Sequence, residues 1–305
     1  MILVSNAIDV SVVVCVRNGA ATIQRQLDAL DAQIEHPPFE VVVVDNGSAD
    51  GTADLVRQWV GQPVHAAERI TLVSSGSAPS IPHARNIGVL ECSGRVIAFC
   101  NADDAVRPHW VAAMSAAVTS RELVGGRLVL WNTAGERVHK EFGSGLVATS
   151  YLPTVVGANC AVARSTLLAV GGFDESLPPY GFDDVDFSWR VQEAGFPLVY
   201  APGAEVDFTL SDTAASVRKR FLLGQGRVLM AHRYPRYDSA RYTPWTTVRE
   251  LLQSAGALAD GLVRHRSLDR QTASTVIANA GRTYAAMRHR VTGLPSRRLI
   301  PEQNR

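Results

Sequence analysis

The stretch Val96-Ile-Ala-Phe-Cys-Asn-Ala-Asp-Asp104 constrains the fold of this 305-residue chain more than any other. An apolar run breaks off at a polar turn that carries two adjacent carboxylates. A short, continuous apolar run bounded by polar residues fits a strand covered on both faces, as in a parallel sheet with helices above and below. Sheets of that kind bind ligands at their strand carboxyl ends. Asp103 and Asp104 are therefore expected at the mouth of the sheet, close enough to share a divalent cation through hard oxygen ligands. Taken alone, the pair has a second reading, in which Asp104 caps a helix that begins near Pro108.

Neighbouring segments repeat the pattern. Val10 to Val16 reads as a strand, and Arg17-Asn18-Gly19 supplies turn chemistry before a helix with Ile23, Leu27, Leu30 and Ile34 on one apolar face, ended by Pro37-Pro38. Phe39 to Val44 is a second strand, halting at Asp45-Asn46-Gly47-Ser48 before a helix near Asp50. Ile70 to Ser74 is a third strand, followed by a helix through His83-Ala-Arg-Asn86 and Leu90. Strict alternation of strand and helix predicts an open, mostly parallel sheet with helices on both faces. Its carboxyl ends would bring Cys15, Asp45 and Asp103 into one crevice.

Further on, a helix from Trp110 to about Ser120 precedes a strand over Glu122 to Trp131. Residues 132–156 show no clear period, with glycines at 135, 143 and 145, and a long irregular stretch in a compact domain is more often functional than structural. Gly157 to Ala163 resumes strand character, and Arg164 to Val170 is a short helix. Asp183 to Ala194 is a helix with an acid-laden first turn, and Leu198 to Ala201 makes the last strand.

Near-neutral overall charge hides an asymmetry. Residues 1–212 carry 13 Lys and Arg against 24 Asp and Glu, a net of −11, whereas residues 213–305 carry 17 against 5, a net of +12. That break divides the chain into an acidic body, 1–212, and a basic tail, 213–305, which holds two amphipathic helices. One bears Val217, Phe221, Leu222, Val228 and Leu229; the other bears Val248, Leu251, Leu252, Ala255, Leu258 and Leu262. Simple packing on the acidic body, contact with an anionic membrane surface or lipid phosphate, and nucleic-acid binding are the three accounts of such a tail. The last lacks any aromatic-interleaved recognition motif. Cys15, Cys92, Cys100 and Cys160 lack paired spacing, which points to reduced thiols rather than zinc or disulfides. With no signal peptide and no apolar run of roughly 20 residues, the expectation is a cytoplasmic protein able to lie against a membrane.

Three acidic clusters should share the sheet's ligand-binding edge: Asp45, Asp103 with Asp104, and Asp183-Asp184-Val-Asp186. Unpaired carboxylates in contact repel by about 4 kcal/mol at a surface-like dielectric, so a cation bound together with substrate phosphates is the natural resolution. Turn chemistry is the other reading of Asp45, and helix-dipole complementarity the other reading of Asp183 and Asp184. Asp186, one turn in, reads as structural, and Cys15 as a small buried hydrophobe.

Val42-Val-Val-Asp-Asn-Gly-Ser-Ala-Asp-Gly-Thr52, Ala84-Arg-Asn86, Asn101-Ala-Asp-Asp104, Gly171-Gly-Phe-Asp-Glu175 and Asp183-Asp-Val-Asp-Phe-Ser-Trp-Arg190 occur in the order and spacing of the family 2 nucleotide-sugar glycosyltransferases. The resemblance covers about residues 10–208. It implies a GT-A fold and an inverting, metal-assisted transfer of a sugar from a nucleoside diphosphate, UDP or dTDP favoured, to an acceptor hydroxyl of a saccharide, lipid-linked or small molecule. On that resemblance Asp45 contacts the base, the segment around Cys15 and Arg17 lies along the nucleotide, Arg85 belongs to the donor side and Asp103 is near the ribose. Asp104 would bind Mg²⁺ or Mn²⁺, and Asp184 would be the general base beside Asp183. Two positions depart from the family: Asn101 stands where an Asp is frequent, and Phe208 where a His often contacts metal or phosphate, with Asp207 as a substitute oxygen ligand. A nucleotidyltransferase is a rival, although Val16-Arg-Asn-Gly-Ala-Ala21 is too short and too weakly charged for its phosphate loop. A non-catalytic sugar-nucleotide-binding relative is the other.

Overall fold

A computed structural model describes residues 7–76, 80–138, 146–210, 217–238, 240, 242–266 and 269–302. Strands β1 (Val10–Val16), β2 (Phe39–Asp45), β3 (Arg69–Ser74) and β4 (Val96–Asn101) alternate with helices α1 (Ile23–Asp31), α2 (Thr52–Val60) and α3 (Ile81–Glu91). There follow β5 (Ala105–Val106), α4 (Trp110–Ala117), β6 (Leu123–Trp131), β7 (Leu146–Val147), β8 (Thr154–Val155) and β9 (Asn159–Ala163). The body closes with α5 (Arg164–Ala169), α6 (Asp183–Glu193) and β10 (Leu198–Thr209). Eight strands form one sheet in the order β3-β2-β1-β4-β9-β6-β10-β5. Within it, β9 runs antiparallel to β4 and β6, and β5 antiparallel to β10, while the remaining pairs are parallel.

Alternation along β1 explains both layers. Val10, Val12, Val14 and Val16 point to the face covered by α1, α2 and α4 through Leu27, Trp59 and Trp110. Val13 points to the other face, covered by α3, α5 and α6 through Val89, Leu167 and Phe187. With both faces buried, the strands read as unbroken apolar runs.

Two differences from the predicted boundaries change where side chains lie. Helix α1 stops at Asp31, so Ile34 lies past its end and is 47% exposed, its N–H held by the Pro108 carbonyl at 2.8 Å. Strand β10 does not end at Ala201: a register shift between Ala201 and Glu205 absorbs Pro202-Gly203-Ala204, after which pairing with β6 resumes as far as Thr209. That continuation carries Asp207, Phe208 and Thr209 to the ligand-binding edge. Of the irregular segment 132–156, residues 139–145 lie outside those described, as does Asp212 at the expected boundary between body and tail.

Among the described residues of the tail there are three helices rather than two: α7 (Val217–Arg233), α8 (Pro244–His265) and α9 (Arg270–Thr292). Helix α7 packs Leu229 and Met230, with Tyr234, against Leu177 and Trp189 of the body. The last described residues form an extended strap: Ile300 is buried in the core under α3 and α6, and Arg297 reaches Asp186 at 2.6 Å. Arg233 pairs with buried Asp174 at 2.6 Å. Part of the positive tail is thus neutralised by the body's own carboxylates. Helix α8 behaves otherwise: of its predicted stripe Leu252 and Leu262 are 67% and 41% exposed while Val248, Leu251 and Leu258 are partly covered, and Trp245 nearby is 80% exposed. No helix among the described residues is long and apolar enough to cross a membrane.

Helices α7 and α9 meet through glycines. A Cβ at Gly224 would collide with the Ala278 carbonyl, and one at Gly281 with the Phe221 carbonyl, both rigid backbone. Gly281→Ala is therefore expected to force the helices apart and cost about 1–3 kcal/mol, read as a lower urea midpoint. A midpoint equal to wild type would show that the close approach does not matter to stability.

Candidate active site

The loops after β1 and β2 are laced together. Asn18 Oδ1 accepts from the Ala49 N–H at 2.9 Å, and the N–H groups of Asn18 and Gly19 donate to Ser48 Oγ and Thr52 Oγ1, each at 2.9 Å. Asp45 Oδ1 accepts from the Ser48 N–H at 3.1 Å, across a turn in which Gly47 takes φ 75°. Asn46 is buried and ties the end of β2 to the segment entering α3, accepting from Ser75 Oγ at 3.0 Å and the Ser80 N–H at 3.2 Å. Cys15, Arg17 and Asn46 line one side of a cleft of about 280 Å³; Arg218 and Lys219 of α7 line the other, and Tyr180 adjoins them. Burial pushes the Cys15 thiol up to about 12, so it is a neutral wall of this cleft.

A second cleft of about 400 Å³ shares Ile81 and Tyr180 with the first, and Asn101, Gly157, Asp183, Asp184 and Phe208 line it. Helix α6 enters it from a turn in which Gly181 and Phe182 both have positive φ, 90° and 67°. For Phe182 this is a strained conformation held by its surroundings. The turn splits the two leading acids. Asp184 is half-buried on the cleft wall, Oδ2 accepting from the Gly157 N–H at 3.0 Å and Oδ1 from the Val185 N–H at 2.9 Å. Asp183 turns inward to Arg85, with Nη1 to Oδ2 at 2.5 Å, while Arg85 Nη2 donates to the Gly157 carbonyl at 2.9 Å. Burial pushes the Asp183 carboxyl above its ordinary range and Arg85 pulls against that shift.

Two residues expected in the site are engaged by partners of their own. Arg85, placed on the donor side by resemblance, is only 8% exposed and committed to Asp183 and Gly157, so it organises the wall rather than offering a free guanidinium. Asp104, expected as the metal ligand, is 1% exposed and accepts from the Thr209 N–H at 3.1 Å and Asn101 Nδ2 at 3.0 Å. Burial, with Asp103 beside it, raises its carboxyl to about 7. Asp103 is the exposed carboxylate of the pair, and Arg25 donates to its backbone carbonyl at 2.9 Å. Asp207 Oδ1 takes Arg107 Nη2 at 2.9 Å and Trp131 Nε1 at 2.8 Å, so this acid is paired within the wall. Asp186, read as structural, is fully buried between Arg190 and Arg297.

Sequence reasoning missed Asn46, Tyr180, Arg218 and Lys219 as cleft residues. Asn46 lay inside a motif already singled out, whereas nothing local marks the α7 pair.

Residues 11–143 match the glycosyl transferase family 2 profile. The chain carries a family 2 glycosyltransferase domain. It is 28% identical over 230 residues to glycosyltransferase AglE of Haloferax volcanii, covering 72% of this chain and 73% of that protein. It is 30% identical over 211 residues to the pre-mycofactocin glycosyltransferase of Mycobacterium tuberculosis, covering 65% of this chain and 42% of that one. The fold is GT-A. A mannosyltransferase from Pyrobaculum calidifontis, solved with GDP-Man and Mn²⁺, superposes with a TM-score of 0.59 at 20% identity, covering 92% of this chain and 86% of that one. Residues 1–349 of S. aureus TarS, solved with UDP-GlcNAc, give 0.56 at 16% identity, covering 93% and 92%. This glycosyltransferase thus carries Asp45 at the end of β2 and Asp103 just past the end of β4 in a GT-A sheet.

Proposed function

We propose that this glycosyltransferase moves a sugar, with inversion, from a nucleoside diphosphate to an acceptor hydroxyl. The observation that carries the reading is Asp184, held by the Gly157 N–H on the wall of one cleft while the adjoining cleft presents Arg17, Arg218 and Lys219. Asp184 has the position of a general base: it takes the acceptor proton as the acceptor oxygen bonds to the anomeric carbon and the bond to the diphosphate breaks. Asp45 and the Cys15–Arg17 segment are assigned to the nucleoside. UDP- and dTDP-sugars remain the favoured donors, and GDP joins UDP and dTDP as a binding probe because a structural neighbour was solved with GDP-Man.

The donor set is consistent with a divalent cation bound largely by substrate. Among the described residues no three His, Cys, Asp or Glu side chains cluster to hold an ion. One exposed carboxylate, Asp103, suits a Mg²⁺ or Mn²⁺ that takes its other ligands from the diphosphate and water. When bound there, such an ion neutralises charge on the departing diphosphate. We assign the ligand role to Asp103 and a positioning role to Asp104, whose hydrogen bonds to Thr209 and Asn101 fix the turn. The split into a catalytic unit over 1–212 and a tail over 213–305 is retained, with α7 and the strap docked on the catalytic unit.

Asp103→Ala is expected to abolish the Mn²⁺-dependent part of nucleotide binding, about tenfold or more for a lost charge-assisted contact, in calorimetric titrations of UDP, dTDP and GDP with Mn²⁺ or EDTA. Unchanged Mn²⁺-dependent binding in Asp103→Ala, with loss in Asp104→Asn, would return the ligand role to Asp104.

A further inference from the structure

The turn that carries Asp103 is held by elements outside the strand it follows. We propose that Arg25 of α1 and Thr209 at the end of β10 are positioning residues that clamp this turn and aim the Asp103 carboxylate at the cation bound with the donor. The inference rests on the ligand role assigned to Asp103 above and adds the residues that fix its direction.

One guanidinium nitrogen makes the clamp. Arg25 Nη2 donates to the Asp103 carbonyl at 2.9 Å and to Thr209 Oγ1 at 3.1 Å, which uses both of its hydrogens. Thr209 grips the same turn a second time, since its N–H donates to Asp104 Oδ1 at 3.1 Å. Asn101 Nδ2 closes the turn on itself by donating to Asp104 Oδ2 at 3.0 Å. Residues 101–104 are thus tied to α1 and to β10 at once, although Arg25 and Thr209 lie 184 residues apart in the chain. None of these bonds reaches the Asp103 carboxylate, so its direction follows from the backbone that carries it.

The clamp gives a use to both departures from the family pattern. Asn101, as an amide, donates to Asp104 where a carboxylate would repel it. Thr209 reaches the turn because β10 resumes its pairing with β6 after the shift between Ala201 and Glu205, which sets Thr209 opposite Trp131. The end of β10 therefore meets the turn through the hydroxyl and N–H of Thr209, not through an imidazole at the position of Phe208.

Charge alone predicts the opposite effect. A guanidinium beside a cation site repels the cation, so removing an Arg25 that acted only through its charge would tighten metal binding. Removing a clamp loosens the ligand and weakens it.

The test titrates UDP, dTDP and GDP calorimetrically into the full chain, with Mn²⁺ and with EDTA, for wild type, Arg25→Ala, Thr209→Val, the double variant and Asp103→Ala. Thr209→Val keeps the shape of the side chain and the N–H that holds Asp104. Each single clamp variant should bind the preferred nucleoside diphosphate about fivefold or more weakly with Mn²⁺, bind it as wild type does in EDTA, and keep a melting temperature near wild type. The double variant should be no weaker than Arg25→Ala, because the two residues share one bond. Additive losses in the double variant overturn the inference, as does an equal loss with Mn²⁺ and with EDTA. Tighter Mn²⁺-dependent binding in Arg25→Ala overturns it in favour of charge alone. Unchanged Mn²⁺-dependent binding in both single clamp variants, with the loss intact in Asp103→Ala, overturns the clamp and leaves the ligand role of Asp103 standing. Unchanged Mn²⁺-dependent binding in Asp103→Ala removes that role, and the clamp with it.

Discussion

Asp184→Asn is expected to lower sugar transfer by about 10²–10⁴-fold, the usual contribution of a positioned general base. The amide is isosteric with the carboxylate, and its oxygen can still accept the Gly157 N–H that now holds Oδ2 at 3.0 Å. Nucleotide affinity and melting temperature should therefore stay near wild type, and the loss should sit in kcat. The same substitution at Asp186 should do the opposite. Asp186 is fully buried between Arg190 and Arg297, so Asp186→Asn lowers stability first and activity only through it. Transfer by Asp184→Asn within threefold of wild type, on the order of 0.6 kcal/mol, would remove Asp184 from the base role.

Arg85→Ala carries the largest expected effect on stability. The Arg85 guanidinium is buried, paired with Asp183 at 2.5 Å, bonded to the Gly157 carbonyl and set 5.1 Å from the centroid of Phe173. Truncating it strands a buried carboxylate that is already pushed upward by desolvation, and breaking such a pair from one side typically costs about 3–5 kcal/mol. It also frees the Gly157 segment, whose N–H holds Asp184, so transfer should fall along with the denaturation midpoint. Replacing both partners by apolar residues, Arg85→Met with Asp183→Leu, should recover much of the stability without restoring activity, because no unpaired charge remains. A double variant as unstable as Arg85→Ala would show that the contacts to Gly157 and Phe173, not the ion pair, hold this wall.

How far the site was legible depended on the kind of signal each residue left. Asp45 followed by Asn-Gly-Ser, and the apolar run ending at Asp103, announced a strand and a turn together, which is enough to place them on one edge. The adjacent pairs were harder. Asp103 and Asp104 are neighbours in sequence with the same chemistry, yet one faces solvent and the other accepts hydrogen bonds from Thr209 and Asn101. Thr209 lies 105 residues away on a strand whose second half is hidden behind Pro202-Gly203. The same holds for Asp183 and Asp184, which follow a positive-φ turn at Phe182 and take different partners, Asp183 the Arg85 guanidinium and Asp184 the Gly157 N–H.

The tail shows the converse failure. Its charge and amphipathic stripes were plain, but an apolar stripe says only that a face can be covered, not by what. Leu229 and Met230 found Trp189, whereas Leu252 of α8 stayed 67% exposed. Helix α9 was missed because much of its contact with α7 is made by glycine against backbone, which leaves no hydrophobic period to read.

By itself, then, the sequence of this glycosyltransferase determined the alternating strands and helices, the covered sheet, the edge on which the acids gather and the charge divide between body and tail. These follow from local periodicity, turn chemistry and composition, which act over a few residues. Only the tertiary structure decided which acid of each pair is buried, that Arg85 is spent inside the wall, and that α7 brings Arg218 and Lys219 to the cleft lined by Cys15 and Arg17. Each of those outcomes is set by partners far away along the chain, and burial and pairing energies exist only once those partners have met.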